Sequence, residues 1–214
     1  RLSVAISGWR RRYVRRRGGC YFPLYGVLYA VLDLLSYRLP SDASSPLAHR
    51  CAGGTGGFGG IERVDSLNET EKLSASFCEK CGFGKPNVIL SNPPCGSGND
   101  IRIKNKTVLS KFEIGHVWNV NEWGNVMYDD KLNEGIGVAP ELLFTEQYLK
   151  WIKQDGLICI VMAKGQLDNR EALAVRCKVL SECELLAVIN LHEDTFEPFC
   201  GSKASVLLMR KSIN

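Results

Sequence analysis

Short apolar runs recur through the second half of the chain and end at residues that interrupt β-structure. Residues 157–162 form an unbroken apolar run, which is typical of a parallel strand buried on both faces. Residues 88–90 form a shorter run that stops at Asn92-Pro93-Pro94, and no central strand could contain those prolines. Further apolar runs at residues 185–191 and 204–210 predict two more strands.

Segments with helical spacing separate these strands. Leucine and valine positions three and four apart predict a helix over residues 24–37, and residues 170–182 predict another. A helix is also predicted from Pro140 to Gln154 and is closed by Gly156, because proline suits the first helical turn and glycine suits the position after the last one. Its apolar stripe consists of Leu143, Phe144, Tyr148, Trp151 and Ile152.

The polar segment 95–138 is rich in glycine and asparagine, and it is predicted to be a long functional loop or lid. With that exception, strands alternate with helices. This alternation predicts an α/β sheet covered by helices on both faces.

Charge is distributed unevenly along the chain, which divides it into an Arg-rich segment 1–60 and a main domain 61–214. The first segment holds nine Arg, no Lys and only two acids, whereas the second holds eighteen basic residues and twenty-one acids. The Arg cluster at residues 10–17 either contacts phosphates or forms a solvated basic arm. The whole of 1–60 could equally be a degenerate stretch of the gene read out of frame.

Cysteine content and hydropathy indicate a cytoplasmic protein. The nine cysteines are odd in number and lack the spacing of a disulfide framework, which favours reduced thiols. The apolar run 20–35 contains Pro23 and Asp33 and falls short of the roughly 18 residues that a membrane span needs. Cys78 and Cys81 have metal-ligand spacing, but a second pair does not follow, so no metal site is predicted.

The motif Leu90-Ser91-Asn92-Pro93-Pro94-Cys95-Gly96 and the blocks after it carry a family resemblance. In order and spacing these segments resemble the second half of the catalytic domain in the methylation subunit of type I restriction-modification systems, a family of adenine-N6 DNA methyltransferases. The resemblance runs from about residue 64 to residue 211, and its later blocks are residues 139–144, 156–162, 186–191, 195–199 and 203–211. It implies a doubly wound, Rossmann-like α/β sheet with an antiparallel final hairpin, here incomplete.

The resemblance also implies the chemistry of the motif. The exocyclic amine of adenine is a poor nucleophile, because its lone pair is delocalised into the ring. Asn92 would accept a hydrogen bond from that amine through its side-chain oxygen, and Pro93 would accept through its backbone carbonyl. Pro93 and Pro94 would hold this carbonyl in place by fixing φ. The base must first be flipped from the duplex, and Cys95 occupies the position where the family has an aromatic residue that stacks on it.

A glycine-rich run resembles the family's cofactor loop, Asp-Pro-Ala-Cys-Gly-Thr-Gly-Gly-Phe, and implies S-adenosylmethionine as cofactor. Arg50 stands where the family has an acid. Asp65, in Val64-Asp65-Ser66-Leu67, would contact the adenine amine of the cofactor, and no residue can be nominated for its ribose hydroxyls. The matching positions of the loop are Ala52, Gly54, Thr55, Gly56, Gly57 and Phe58.

Partners and alternatives follow from the same resemblance. DNA would be the substrate, and a specificity subunit would select the target sequence within a complex that also contains a restriction subunit. One alternative is an inactive, truncated or frameshifted relic of the family. Another is a methyltransferase acting on RNA or on a protein amide nitrogen, since Asn-Pro-Pro-type motifs serve those reactions too.

Overall fold

The computed structural model describes residues 4–7, 67–68, 85–94, 102–121, 125–169, 172–196 and 203–212; for residues 4–7 it describes the backbone alone. The strands are β1 (Val4–Ser7), β2 (Val88–Ser91), β3 (His116–Val120), β4 (Val126–Leu132), β5 (Leu157–Ala163), β6 (Cys183–Asn190) and β7 (Ala204–Lys211). The α-helices are α1 (Lys106–Leu109), α2 (Pro140–Trp151), α3 (Lys164–Asp168) and α4 (Leu173–Glu182). Short 3-10 turns span Glu113–Gly115 and Glu193–Phe196.

Five of the described strands form one mixed sheet in the order β1-β2-β5-β7-β6. Strands β1, β2 and β5 are parallel, with Ser91 opposite Ile160, whereas β7 runs antiparallel to both β5 and β6. The structure therefore confirms the α/β class, the strands predicted from residue 88 onward and the antiparallel final hairpin. Three of the predicted strands are longer by one residue at their carboxyl ends, and the strand predicted at 185–191 spans Cys183–Asn190 instead.

Both faces of the central strands are buried, as the continuous apolar runs predicted. Alternate residues of β2 and β5 point to opposite faces, because the side-chain period of a strand is two. Ile89 and Ile158 face a core cluster built with helices α2 and α4, whereas Val88 and Cys159 belong to a second cluster on the opposite face. Burial raises the pKa of the Cys159 thiol to about 12.

Helix α2 begins at Pro140 as predicted, but it ends before the predicted Gly156. Trp151 is the last helical residue, and Ile152 is already extended with φ −67° and ψ 146°. The chain then reverses through Asp155, which has a φ of 60°. Asp tolerates this left-handed conformation better than most residues. The prediction that Gly156 closes the helix was wrong, because the backbone is already extended at Ile152 and the left-handed position after it belongs to Asp155.

The prediction that residues 95–138 form a loop was wrong for the part of the segment that the structure describes. Helix α1, a 3-10 turn and the antiparallel hairpin β3–β4 lie within it. The hairpin is stabilised by cross-strand aromatic contacts, since the Tyr128 ring lies 5.4 Å from that of Trp118 and 5.5 Å from that of His116. We call residues 102–138 the excursion, because Ile103 and Val138 close it with two backbone hydrogen bonds.

Sequence reasoning also missed β1 and α3 and placed the start of α4 too early, since this helix begins at Leu173 rather than at residue 170. Strand β1 lies within segment 1–60 and pairs in parallel with β2. The division of the chain at residue 60 remains a prediction. The predicted helix 24–37 and the Arg cluster lie outside the described residues. Within the described part of the chain, no helix is both long and apolar enough to cross a membrane.

Candidate functional site

Asn92-Pro93-Pro94 follows directly after β2, at the edge of the sheet where the parallel strands end. Asn92 is half-buried, Pro93 is buried and Pro94 is exposed. In parallel α/β sheets, ligands bind outside the carboxyl ends of the strands. The predicted position of Asn92, immediately after a strand and at this edge, is therefore confirmed, whereas its role remains a prediction.

Helix α2 packs along β2 in the opposite direction. Lys85, just before β2, donates a hydrogen bond from Nζ to the carbonyl of Lys150 at 3.0 Å, and the N–H of Lys153 donates to the carbonyl of Pro86 at 3.2 Å. The carboxyl end of α2 therefore lies beside the start of β2. Its amino end consequently lies toward the carboxyl edge of the sheet, where Asn92 is.

A buried hydroxyl pair fixes this packing. The hydroxyl oxygens of Ser91 and Tyr148 lie 2.5 Å apart, and both side chains are buried. Ser91 is the residue before Asn92, so the contact holds the end of β2 against the helix. A pair of buried hydroxyls that bond each other avoids the cost of desolvating either group alone.

Two side chains that sequence reasoning did not select belong to the same region. Glu141 lies in the first turn of α2 and is fully buried, and neither of its carboxylate oxygens has a hydrogen-bond partner. Gln166 lies on α3, directly after β5, and its side-chain oxygen is also buried without a partner. No sequence signal marks Glu141, because an acid in the first turn is common as a complement to the helix dipole.

Burial raises the pKa of the Glu141 carboxyl above its usual range, and smaller effects of the backbone, the Gln166 amide and the Arg102 charge oppose that rise. The guanidinium of Arg102 also donates a hydrogen bond to the carbonyl of Gly137 at 2.9 Å. Gly137 has a φ of 77°, which favours glycine, and it comes three residues before the start of α2. Arg102 thereby joins the start of the excursion to its end.

The base of the excursion is held by a second buried glutamate on α2. Glu146 accepts hydrogen bonds from the backbone N–H groups of Glu113 and Ile114, at 3.0 and 2.9 Å, and from Lys150 at 2.6 Å. Glu113 in turn pairs with Lys178 of α4 at 2.7 Å. These contacts position the hairpin relative to the helices on the sheet.

The remaining predicted site residues lie outside the described residues. They are Cys95, the cofactor-loop positions Ala52, Gly54, Thr55, Gly56, Gly57 and Phe58, and Asp65. Cys78 and Cys81 lie outside as well. Within the described ranges, no group of three or more His, Cys, Asp and Glu side chains could hold a metal ion.

Comparison with known proteins gives matches among solved structures alone. No protein-family model matches the sequence, and no curated protein matches it. The chain is similar to a modification subunit from Vibrio vulnificus YJ016, whose parent protein is assigned as a type I restriction enzyme. The two chains are 18% identical and superpose with a TM-score of 0.48. That match covers 71% of this chain and 27% of the other.

Two further structures show the same pattern. The type I restriction enzyme EcoKI M protein is 16% identical with a TM-score of 0.44, over 72% of this chain and 25% of its own. A protein from Listeria monocytogenes assigned to the class I S-adenosylmethionine-dependent methyltransferases is 16% identical with a TM-score of 0.45, over 60% of this chain and 32% of its own. The chain thus spans a quarter to a third of the length of these structures. Because the TM-scores lie below 0.5, we base the proposed function on this chain's own residues.

Proposed function

We propose that this chain is part of an S-adenosylmethionine-dependent DNA methyltransferase that acts on the N6 amine of adenine, as the modification subunit of a type I restriction-modification system. The observation that carries the proposal is the placement of Asn92-Pro93-Pro94 directly after β2, at the carboxyl edge of a sheet with parallel strands and an antiparallel final hairpin. An Asn-Pro-Pro sequence in an ordinary surface turn would not follow a buried parallel strand at this edge of a sheet.

The motif supplies hydrogen-bond acceptors in a fixed position. The Asn92 side-chain oxygen and the Pro93 carbonyl would each accept an N–H of the amine, which favours electron density on nitrogen. Proline fixes φ and lacks an N–H. The half-buried Asn92 has no side-chain hydrogen bond among the described residues, so its amide is available to a substrate.

The cofactor supplies an activated methyl group when it is bound. Transfer would form the carbon–nitrogen bond at the expense of the carbon–sulfur bond, and the role of Asn92 and Pro93 would be to hold the amine by its N–H groups while its proton is lost to solvent or to these acceptors. The unpartnered buried oxygens of Glu141 and Gln166 at this edge fit a ligand that brings N–H donors. We assign cofactor contacts to Asp65 and to the glycine-rich loop that ends at Phe58.

Other parts of the assembly follow from the same proposal. DNA is the substrate, a specificity subunit selects the sequence, and a restriction subunit completes a complex in the cytoplasm. The aromatic position of the motif is held by Cys95, so the flipped base would lack one stacking surface. Stacking on an aromatic side chain is worth roughly 1–3 kcal/mol per base.

The test is transfer of a tritiated methyl group to unmethylated duplex DNA, with a specificity subunit supplied. Asn92→Ala should lower transfer at least a hundredfold, because Pro93 alone cannot replace the lost acceptor. Asn119→Ala is the matched control, since Asn119 is an exposed residue on the hairpin. Cys95→Phe should raise activity. Transfer that survives Asn92→Ala would refute the assigned mechanism, and inactivity of every folded variant would favour the relic.

A further inference from the structure

Helix α2 contains two glutamates that are both fully buried, yet only one of them is hydrogen-bonded. Glu146 has three hydrogen-bonding partners, and these explain why a carboxylate is tolerated there. Both oxygens of Glu141 lack a partner. Burying a carboxyl group without compensation costs free energy, and unpaired buried groups in native structures call for an explanation. The packing of the fold does not provide one for Glu141.

Gln166 adds a third unpartnered oxygen to the same place. Its amide is close enough to the Glu141 carboxyl to oppose the rise in that carboxyl's pKa, but the two groups do not close a hydrogen bond of normal geometry. The two side chains together therefore present three oxygens, all potential acceptors, with no donor to satisfy them among the described residues. A ligand that satisfied this cluster would have to bring N–H groups.

The position of the cluster follows from the packing of α2 and β5. Tyr148 contacts Ser91 at the end of β2, and Glu141 precedes Tyr148 by two helical turns, about 10 Å toward the carboxyl edge. Strand β5 continues three residues beyond the partner of Ser91, again about 10 Å, before Gln166 follows on α3. Three extended residues beyond Ser91 also span about 10 Å and reach Pro94. The cluster therefore lies at the level of the end of the motif, on the same edge of the sheet as Asn92.

We propose that Glu141 and Gln166 form a binding subsite, at the same edge of the sheet as Asn92, that accepts the N–H donors of an amine. We call this pair the amine subsite. The proposal rests on the proposed function, in which the reacting group is an amine. Gln166 is half-buried and follows β5 at the open edge, whereas Glu141 is fully buried, so the ligand approaches from the side of Gln166.

Besides the adenine amine of the cofactor, which is assigned to Asp65, two sources of this chemistry exist in the proposed reaction. The exocyclic amine of the nucleobase carries two N–H groups, and the ammonium group of the cofactor's amino-acid portion carries three. We expect the nucleobase amine, because Asn92 is assigned to it and lies at the same edge of the sheet. Comparisons between ligands that differ in a single amine separate the two sources.

The amine subsite should respond to pH through Glu141. The carboxyl group accepts through both oxygens when it is ionised, and burial raises its pKa despite the smaller opposing effects of Gln166 and Arg102. Arg102 is the charged group that acts on Glu141 among the described residues. An amine that prefers the ionised form releases the proton on binding. Amine affinity should therefore rise as the pH rises through the raised pKa of Glu141.

The experiment is isothermal titration of the full chain with adenosine and with purine riboside, which lacks the exocyclic amine. Saturating 5′-methylthioadenosine is present throughout, so that the adenine site of the cofactor, where Asp65 is assigned, is already occupied. The wild-type chain should bind adenosine more tightly, and Glu141→Leu should weaken adenosine binding about tenfold or more, since hydrogen bonds to charged groups are among the stronger ones. The preference over purine riboside should disappear in that variant. Glu141→Gln should retain part of the preference and lose its pH dependence.

Gln147→Leu is the matched control. Gln147 is also buried on α2 with an unpartnered side-chain oxygen, but it lies one residue before Tyr148 rather than near the amino end of the helix. Its replacement should leave both affinities unchanged. Far-ultraviolet circular dichroism and urea unfolding establish that each variant is folded. If Glu141→Leu is unfolded, Glu141→Gln decides the proposal through its affinity and pH profile.

A second pair of ligands tests the cofactor as the source. S-adenosylhomocysteine and 5′-methylthioadenosine share the adenosine and the thioether, and only the first has the ammonium group. If Glu141→Leu instead removes the preference for S-adenosylhomocysteine over 5′-methylthioadenosine, the amine subsite is supported and its ligand is the ammonium group. Adenosine affinity that is unchanged in Glu141→Leu, together with an unchanged preference in the second pair, would overturn the amine subsite. So would a wild-type chain with no preference in either pair. Methyl transfer tests the proposed function separately, because these titrations do not require catalysis.

Discussion

Replacing Glu146 by leucine should destabilise the protein much more than the same replacement of Glu141, although both side chains are fully buried on one helix. Leucine at position 146 leaves the N–H groups of Glu113 and Ile114 without an acceptor. A buried donor without a partner costs about 1–3 kcal/mol. The contact with Lys150 adds little, because the Lys150 side chain is 43% exposed.

We therefore expect Glu146→Leu to lower the free energy of unfolding by about 2–6 kcal/mol, which is the cost of two buried donors left without an acceptor. Glu146→Gln keeps one acceptor oxygen and should lose about 1–2 kcal/mol. Glu141→Leu removes a carboxyl group with no hydrogen-bond partner. It should leave the free energy of unfolding unchanged or raise it by about 1–4 kcal/mol, as replacement of buried charged groups by apolar ones often does.

The assay is urea unfolding of the full chain at pH 7, followed by circular dichroism, with the slope m compared between variants so that changes in the denatured state are recognised. Amide hydrogen exchange supplies a local readout, since the Ile114 N–H should lose protection in Glu146→Leu. Equal losses of stability in Glu141→Leu and Glu146→Leu would show that Glu141 is held by partners after all. A loss below 1 kcal/mol in Glu146→Leu would refute the reasoning from unpaired donors.

Two further predictions concern the end of β2 and the network at α4. Tyr148→Phe should lower the free energy of unfolding by about 1–2 kcal/mol, because it removes the hydroxyl that bonds Ser91; a double-mutant cycle with Ser91→Ala measures the coupling, and additive losses would contradict it. Burial opposes ionisation of Glu182, but hydrogen bonds and charge from Lys178 and Lys211 lower its pKa below the usual value. Its contribution to stability is thus present above the unfolded pKa and is lost as the pH falls through the folded pKa. Unfolding measured between about pH 6 and pH 3 should accordingly show a shallower acid loss in Glu182→Gln than in the wild type, and identical pH profiles would be evidence against it.

The strands and helices that the sequence predicted correctly are those that a single local pattern is enough to identify. The run 157–162 is apolar throughout and lies in a strand buried on both faces. The prolines after β2 mark the end of that strand, and Asn92 therefore lay where the pattern predicted. The apolar stripe of α2 was also correct, and its members are buried.

The missed features depend on contacts between distant parts of the chain. Strands β3 and β4 lack a continuous apolar run, and their pairing depends on the contact of Tyr128 with Trp118 and His116 across the hairpin. Helix α2 also carries polar residues outside its apolar stripe. The excursion packs against this side, and Glu146 binds backbone groups 32 and 33 residues earlier. No periodicity within a helix can show which of its polar residues will be covered by another segment.

The attachment of the excursion to α2 has a consequence for how this protein can change over evolutionary time. The Ile103–Val138 bridge and the contacts of Glu146 fix the root of the hairpin, whereas side chains near its far end, such as Val120 and Met127, are exposed. Insertions or deletions near the tip would alter how far the hairpin extends without shifting the strands that carry Asn92. Related proteins could therefore differ in the outer end of the hairpin, and so in the surface that it presents to a binding partner, while the strands of the sheet kept their register.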